Sequence, residues 1–344
     1  MAAGERTLIL AEGFSADTHY GKTMHGVLRY RRADVVAILD SARTGESEAG
    51  VPIVADVDTA LAYDPRVALV GVATQGGRFP PAWRDLLRRC IERGLSIENG
   101  LHEMLADDPE LRPLADDAGV ELRDLRRPPP GLDCATGANL DVDARIVLTV
   151  GSDCAIGKMT VSLELDRAAR ERGIASVFVP TGQTGIAIAG WGIAVDAVVS
   201  DFLSGAAEQL VVEGRRRGGE LLLVEGQGSL IHPAYSGVTL GLLHGSAPHF
   251  LVLCHQVGDE HIQDLPAHPI PSLPALVELH ERIALPARPA KVVALALNTR
   301  RLDEEEAQAA IEAAEKETGL PADDPVRFGP GPLLDAILPR VSRV

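Results

Sequence analysis

Residues 146–172 set the strongest constraint on what this chain can become. A β-branched and aliphatic run, Ile146 to Val150, leads into the Gly-bounded loop Gly151-Ser152-Asp153-Cys154-Ala155-Ile156-Gly157-Lys158. A helix-compatible stretch, Thr160–Arg172, follows. Strand, Gly-rich loop, Gly-Lys and helix, in that order, build an anion cradle: backbone N–H groups of the loop and first helical turn face the ligand, and the lysine adds a point charge. The match to a nucleotide-type phosphate loop is incomplete. Ser152 stands where the first glycine belongs, Met159 where Ser or Thr would hold Mg²⁺, and Thr160 comes one place late. The anion-binding half of the pattern is present and the metal half is missing.

An α/β protein follows from this element, and the rest of the chain agrees. At 344 residues it has room for two domains. Aromatics are 3% of a chain that is 46% hydrophobic, so its cores must be aliphatic, as parallel sheets are. A net charge of −16 opposes binding to nucleic acid or to an anionic membrane surface. The cysteines, Cys90, Cys134, Cys154 and Cys254, form no CxxC pair, and no apolar run reaches the roughly 18 residues of a span. These features predict a soluble, cytoplasmic protein without membrane or nucleic-acid partners, and C₂ symmetry makes a homo-oligomer the default.

The N-terminal part alternates strands (Thr7–Ala11, Val35–Leu39, Val67–Ala73, Leu95–Ile97) with helices (Thr23–Tyr30, Asp58–Ala62, Pro81–Arg93). This order is Rossmann-like, yet Ala11-Glu12-Gly13-Phe14-Ser15 replaces the dinucleotide fingerprint. Asp40 is then either a ribose ligand or a turn cap. The Pro run Pro128-Pro129-Pro130 marks a junction, giving a Rossmann-like domain at 1–130 and a phosphate-loop domain with a mainly parallel sheet at 131–344. In the second domain strands are expected at Ile146–Val150, Ser176–Val179, Ala197–Val199, Leu221–Glu225, Phe250–Cys254 and Val292–Leu297, and an acidic helix at Asp303–Glu317.

Three segments at strand ends can converge on the loop. Thr181-Gly182-Gln183-Thr184-Gly185 is too polar for a core and suits ligand hydrogen bonds. Leu221–Val224 followed by Glu225-Gly226-Gln227-Gly228-Ser229 has the form of a strand ending beside phosphate, where Glu225 is a base, a ligand of water or metal, or a partner of Lys158. His232 is a second candidate base. Asp201 and Arg300 stand after further expected strands, and Arg300 has the fork that binds a carboxylate or phosphate. The later histidines, His244, His249, His255, His261 and His268, have no zinc spacing, so no metal site is expected. Gly21-Lys22-Thr23 repeats Gly-Lys far from its strand.

Part of this, the Gly151–Lys158 loop with Glu225-Gly226 on a later strand, resembles dethiobiotin synthetase-like P-loop proteins. A wider set resembles the family DUF1611, which joins a Rossmann-like to a P-loop domain. The set is Gly21-Lys22-Thr23-Met24-His25-Gly26, Gly100-Leu101-His102, Gly151 to Thr160, Thr181 to Gly185, Glu225 to Ser229 and His232 to Gly237. In that family Met after Gly-Lys belongs to the pattern. The resemblance implies acetyl-CoA-dependent N-acetylation of D-glutamate or a related acidic amino acid, alongside an enolase-superfamily-type or dehydrogenase-type partner enzyme. Coenzyme A would use Gly151, Ser152, Asp153, Cys154, Ala155, Gly157, Lys158, Met159 and Thr160, its phosphates lying on the loop. Glu225 or His232 would be the base; Thr181, Gln183, Gln227 and Ser229 would line the substrate, and Arg300 or Lys22 would hold its carboxylates. The alternative is an ATP·Mg²⁺-dependent kinase or carboxylate-activating ligase.

Overall fold

The computed structural model describes residues 4–17 and 20–341. The chain forms two compact units, Met1–Pro129 with Gly182–Ala197, and Pro130–Thr181 with Val198–Val344.

The first unit is a seven-stranded sheet built from β1 (Thr7–Leu10), α1 (Lys22–Tyr30), β2 (Val35–Leu39), β3 (Ser47–Glu48), β4 (Val51–Val54), α2 (Val57–Ala60), β5 (Val67–Val70), α3 (Trp83–Glu92), β6 (Ser96–Asn99), α4 (Leu111–Ala118) and β7 (Leu122–Asp124). Strand order is β3-β4-β2-β1-β5-β6-β7, parallel except for the β3–β4 hairpin. The central strands β1 and β5 are buried along their whole length, which is why they read as unbroken aliphatic runs. Asp40, just past β2, is a cap: its carboxylate accepts from Gly13 N, Ser15 N, Ser15 Oγ and Ala42 N, so the residue that holds a ribose in dinucleotide-binding sheets here closes a turn.

The second unit holds β8 (Arg145–Gly151), α5 (Lys158–Glu171) and β9 (Ser176–Val179). After β9 the chain forms α6 (Gln183–Ala189), which belongs to the first unit, and then returns. The second unit continues with α7 (Ser200–Arg216), β10 (Leu221–Val224), α8 (Ser236–Ser246), β11 (Phe250–Gln256), the short hairpin β12 (His261–Ile262) and β13 (Leu265–Pro269), α9 (Leu273–Ile283), β14 (Lys291–Asn298), α10 (Glu304–Thr318), β15 (Ala322–Asp323) and α11 (Gly331–Val341). Its six-stranded sheet runs β15-β14-β11-β8-β10-β9, all parallel. The chain leaves β8 through α5, passes over the position of β10 to make β9, then fills the gap; β11 pairs on the opposite side of β8. The order therefore reverses at β8, and the carboxyl ends of β8, β10 and β11 form the crevice where open α/β sheets bind ligands. Under the sheet, Val147, Leu165, Leu223, Val252 and Leu333 are among the aliphatic side chains that join strands to α5 and α11.

The strand expected at Ala197–Val199 does not form. Val195–Ala197 is a 3₁₀ turn and Val199 is the exposed residue before α7. The division between the two units falls within these three residues, Ala197 belonging to the first and Val198 to the second, so they serve as a connection and join no ladder. The acidic tail is α10, entered through a capping box: Asp303 accepts from Glu306 N, and Glu306 in turn accepts from Asp303 N. Among the described residues, no helix is long and apolar enough to cross a membrane.

Candidate functional site

The loop between β8 and α5 is shaped by one glycine that a turn demands and a second, on β10's exit, that close packing demands. Gly157, which opens α5, has φ +109°, and an L side chain rarely adopts that conformation. Ala155 is held at φ +52° without that freedom, a local strain of the kind stored at working sites. Gly226 donates its N–H to Thr149 Oγ1 at 2.9 Å, and a Cβ there would lie 1.8 Å from Thr149 O. Only glycine lets the end of β10 press against β8 so closely. Thr149 Oγ1 also meets Ser162 Oγ at 3.1 Å, tying the strand to the first turns of α5.

Lys158 turns back into this packed corner. Its side chain is buried, and Nζ donates to Asp153 O at 2.6 Å. Burial holds the ammonium below the usual lysine range, against the opposing pull of Cys154, Cys254, Asp153 and Glu225. The N-terminus of α5 has no side-chain cap and no acidic residue in its first turn, so its partial positive charge faces whatever ligand arrives. The middle of the loop is committed differently. Asp153 is buried, with Oδ1 accepting from Cys154 N and Oδ2 from Gln263 N in the β12–β13 hairpin, both at 2.6 Å. Ser152 N bonds Cys254 O, and Ser152 Oγ lies 2.9 Å from His255 Nδ1. Burial lowers the pKa of His255, which favours the neutral ring in that contact.

Glu225, at the tip of β10, is buried beside this loop. Oε2 accepts from Thr181 N at 2.9 Å, Oε1 accepts from Gln227 Nε2 at 3.3 Å, and the Glu225 carbonyl accepts from Thr181 Oγ1 at 2.7 Å. Thr181, Glu225 and Gln227 thus form one cluster. Ser229 is fully buried, and its hydroxyl accepts from Ile231 N within the turn that delivers His232. His232 is buried and packs against the exposed Tyr235, ring centroids 4.7 Å apart. Its Nδ1 accepts from Ala234 N at 3.2 Å, so the neutral ring keeps its proton on Nε2. That tautomer presents a hydrogen-bond donor at Nε2. One ring nitrogen of His232, the Cys154 sulfur and an Asp153 carboxylate oxygen all lie within 4.8 Å of one another.

The remaining expected site residues are Arg300, Asp201, Gln183 and Lys22. Arg300 is exposed after β14, its backbone N–H donating to Asn298 Oδ1. Asn298 itself reaches the loop, Nδ2 donating to Ile156 O at 3.1 Å. Asp201 is exposed in the first turn of α7, where a carboxylate favours the helix dipole. Gln183 and Lys22 belong to the first unit. Gln183 Oε1 accepts from Arg126 Nη2 at 2.9 Å, while Thr184 Oγ1 meets Thr23 Oγ1 at 2.9 Å and Arg31 Nη1 donates to Ala187 O. These bonds anchor α6 in that unit. Lys22 is exposed at the start of α1.

Four contributors were not legible beforehand: Thr149, Ser162, His255 and Gln263. A threonine interrupting the aliphatic run of β8 was the one available signal; the others reach the loop from 13 to 110 positions away in the pairings that define them.

Known proteins agree with this architecture. Residues 133–334 match the domain of unknown function DUF1611_C, a P-loop domain, and residues 39–128 match DUF1611_N, a Rossmann-like domain. The chain is similar to a protein of Tritonibacter scottomollicae named D-glutamate N-acetyltransferase, with 39% identity over 82% of this chain and 84% of that one. A protein of the same name from a Pseudoalteromonas species is 38% identical over 76% of this chain and 78% of that one. The crystal structure of a DUF1611 family protein from Anabaena variabilis superposes with a TM-score of 0.91 at 44% identity, covering 97% of this chain and 99% of that one. A Rossmann-like domain followed by a P-loop domain, with matches across both, makes this chain a member of the DUF1611 family.

Proposed function

We propose that this protein is an acyltransferase that moves the acetyl group of acetyl-CoA to the amino group of D-glutamate or a related acidic amino acid. The observation that carries the reading is the 39% identity, over 82% of the chain, to a protein named D-glutamate N-acetyltransferase. The geometry is compatible with it. The uncapped start of α5 and Lys158 offer positive charge to an anionic part of the coenzyme. Glu225, steadied by Thr181 and Gln227, would be the carboxylate that receives a proton as the ammonium becomes a nucleophilic amine. The Nε2–H of His232 and the loop amides are donors for the oxyanion of the tetrahedral intermediate. Arg300, exposed and cationic, is the group of this unit suited to a substrate carboxylate.

An ATP·Mg²⁺-dependent kinase or ligase is the second reading, favoured by the P-loop match at 133–334. Met159 counts against it, because a thioether cannot replace the hydroxyl that holds Mg²⁺ in such loops. The test is coenzyme A release from acetyl-CoA with D-glutamate, L-glutamate or D-aspartate, with and without EDTA, alongside Lys158→Ala. Release with D-glutamate that ignores EDTA and disappears in the variant supports the transferase. Absence of release with every amino acid refutes it.

A further inference from the structure

Arg126 stands two residues past β7 and is buried, with only 8% of it exposed. Its guanidinium meets three oxygens of the first unit. Nε donates to Gly100 O at 2.7 Å, Nη2 to Gln183 Oε1 at 2.9 Å, and Nη1 to the Asp196 carboxylate. The first two acceptors are neutral and packed in place. A Cβ on Gly100 would lie 2.8 Å from Gln183 Cγ, so only glycine lets that side chain rest there, and Gln183 is itself buried in the first turn of α6. Asp196 is different. It lies on the 3₁₀ turn Val195–Ala197, where the first unit ends, with its side chain 30% exposed.

A buried guanidinium needs a counter-charge, and here that charge is a carboxylate at the surface. The three acceptors take three of its five N–H groups, and Asp196 reaches it through one oxygen, Oδ2. A carboxylate laid along Nη1 and Nη2 would instead use both oxygens, the paired geometry that arginine favours. Gly100 and Arg126 follow the carboxyl ends of the parallel strands β6 and β7, the end at which open α/β sheets take ligands. His102, exposed and two residues past Gly100, feels both charges: burial and then Arg126 lower its pKa, and Asp196 opposes them. The neutral ring this favours can donate an N–H without adding charge.

We infer that Arg126 is a carboxylate-binding site of the first unit, occupied by Asp196 as an internal stand-in that a ligand carboxylate displaces. The ligand class is a small organic carboxylate; its assignment as the acidic amino acid rests on the reading proposed above. In the exchange one carboxylate replaces another on the guanidinium, so the buried charge is never left unpaired, and the released Asp196 regains water at the surface. The bond from Arg126 to Gln183, which helps to anchor α6, is kept throughout. Gly100 O and Gln183 Oε1, both acceptors on the same guanidinium, oppose the extra charge of a phosphate dianion and so favour a carboxylate.

The experiment titrates the full-length protein, without acetyl-CoA, with glutarate, D-glutamate and uncharged glutaramide by calorimetry. Tryptophan fluorescence on the same samples follows the first unit, since Trp83 and Trp191 both belong to it. Glutarate and D-glutamate should bind saturably and glutaramide should not. Asp196→Asn removes the competing charge and should bind glutarate roughly 10-fold tighter. Arg126→Lys keeps the charge but loses the fork, and should bind it at least about 10-fold more weakly. A purely structural ion pair predicts instead that Asp196→Asn melts lower with no gain in affinity. Unchanged or weaker glutarate binding by Asp196→Asn, no saturable binding by either parent or variant, or inorganic phosphate binding as tightly as glutarate overturns the proposal. If Arg126→Lys does not fold, Asp196→Asn decides alone. Tighter binding by Asp196→Asn in a protein that releases no coenzyme A supports the site and refutes only the transferase reading.

Discussion

Replacing Gly226 by alanine tests the corner on which the site is built. The added Cβ would lie 1.8 Å from Thr149 O and 2.8 Å from Thr149 C, both backbone atoms that no rotamer change can remove. Ordinary contact requires the two strands to part by roughly 1.5 Å. That separation breaks the 2.9 Å bond from Gly226 N to Thr149 Oγ1, and Thr149 Oγ1 is also the link to Ser162 on α5. Overpacking of this kind costs about 1–3 kcal/mol and the lost bond about 1 kcal/mol, so about 3 kcal/mol is expected in total. For a unit of roughly 200 residues this lowers the melting temperature by about 6–12 °C. Calorimetry is the assay, because Trp83 and Trp191 both belong to the first unit and tryptophan fluorescence would not follow the second. Gly237→Ala is the comparison: it lies in α8 with nothing within 4 Å of the new Cβ, and should be neutral or stabilising by up to about 1 kcal/mol. A Gly226→Ala protein melting within about 2 °C of the parent would refute the reasoning.

Three further outcomes are expected. His249 is half-buried, with Nδ1 accepting from Ile146 N, and burial lowers its pKa to about 4, helped by Arg288 and Arg145. Its folded pKa lies below the unfolded value of about 6.5, so the unfolded state binds the proton first and stability falls as pH drops from about 6.5 to about 4. Discounted for partial exposure, the loss is about 1–2 kcal/mol, and denaturant titrations across this range should show it flattened in His249→Asn. Lys158→Met removes a buried amine whose charge burial opposes, so the melting temperature should hold or rise while acetyl transfer falls at least about 100-fold; a matched loss of both would contradict the assigned role. Asp303→Ala removes the α10 capping box and should cost about 1 kcal/mol by denaturant titration, with activity unchanged.

The sequence reveals the sheets where strands are long and buried. β2, β8, β9, β10, β11 and β14 follow the aliphatic runs within a residue or two, because a strand covered on both faces must be apolar throughout. β7, Leu122-Arg123-Asp124, is half-buried at the sheet edge and has no such run, and the β12–β13 hairpin is mostly exposed. α4 carries Pro113 and spans eight residues, too few for its period to stand out. The lysine loop and Glu225 were readable because their chemistry is local to a strand end. The polar stretch after Thr181 was readable as something other than core, but its partners Thr23, Arg31 and Arg126 lie far back in the chain, so its place in the first unit left no local trace. The donor character of His232 depends on one backbone N–H two residues on, a matter of turn geometry that residue type alone does not specify.

The most direct measurement of the central claim is chiral chromatography with mass detection on a reaction of the purified protein, acetyl-CoA and racemic glutamate. The account predicts N-acetyl-D-glutamate forming in step with released coenzyme A, L-glutamate remaining, and no dependence on ATP or Mg²⁺. Acetylated product absent, with ATP consumed in the presence of Mg²⁺ and an acidic amino acid, would contradict it.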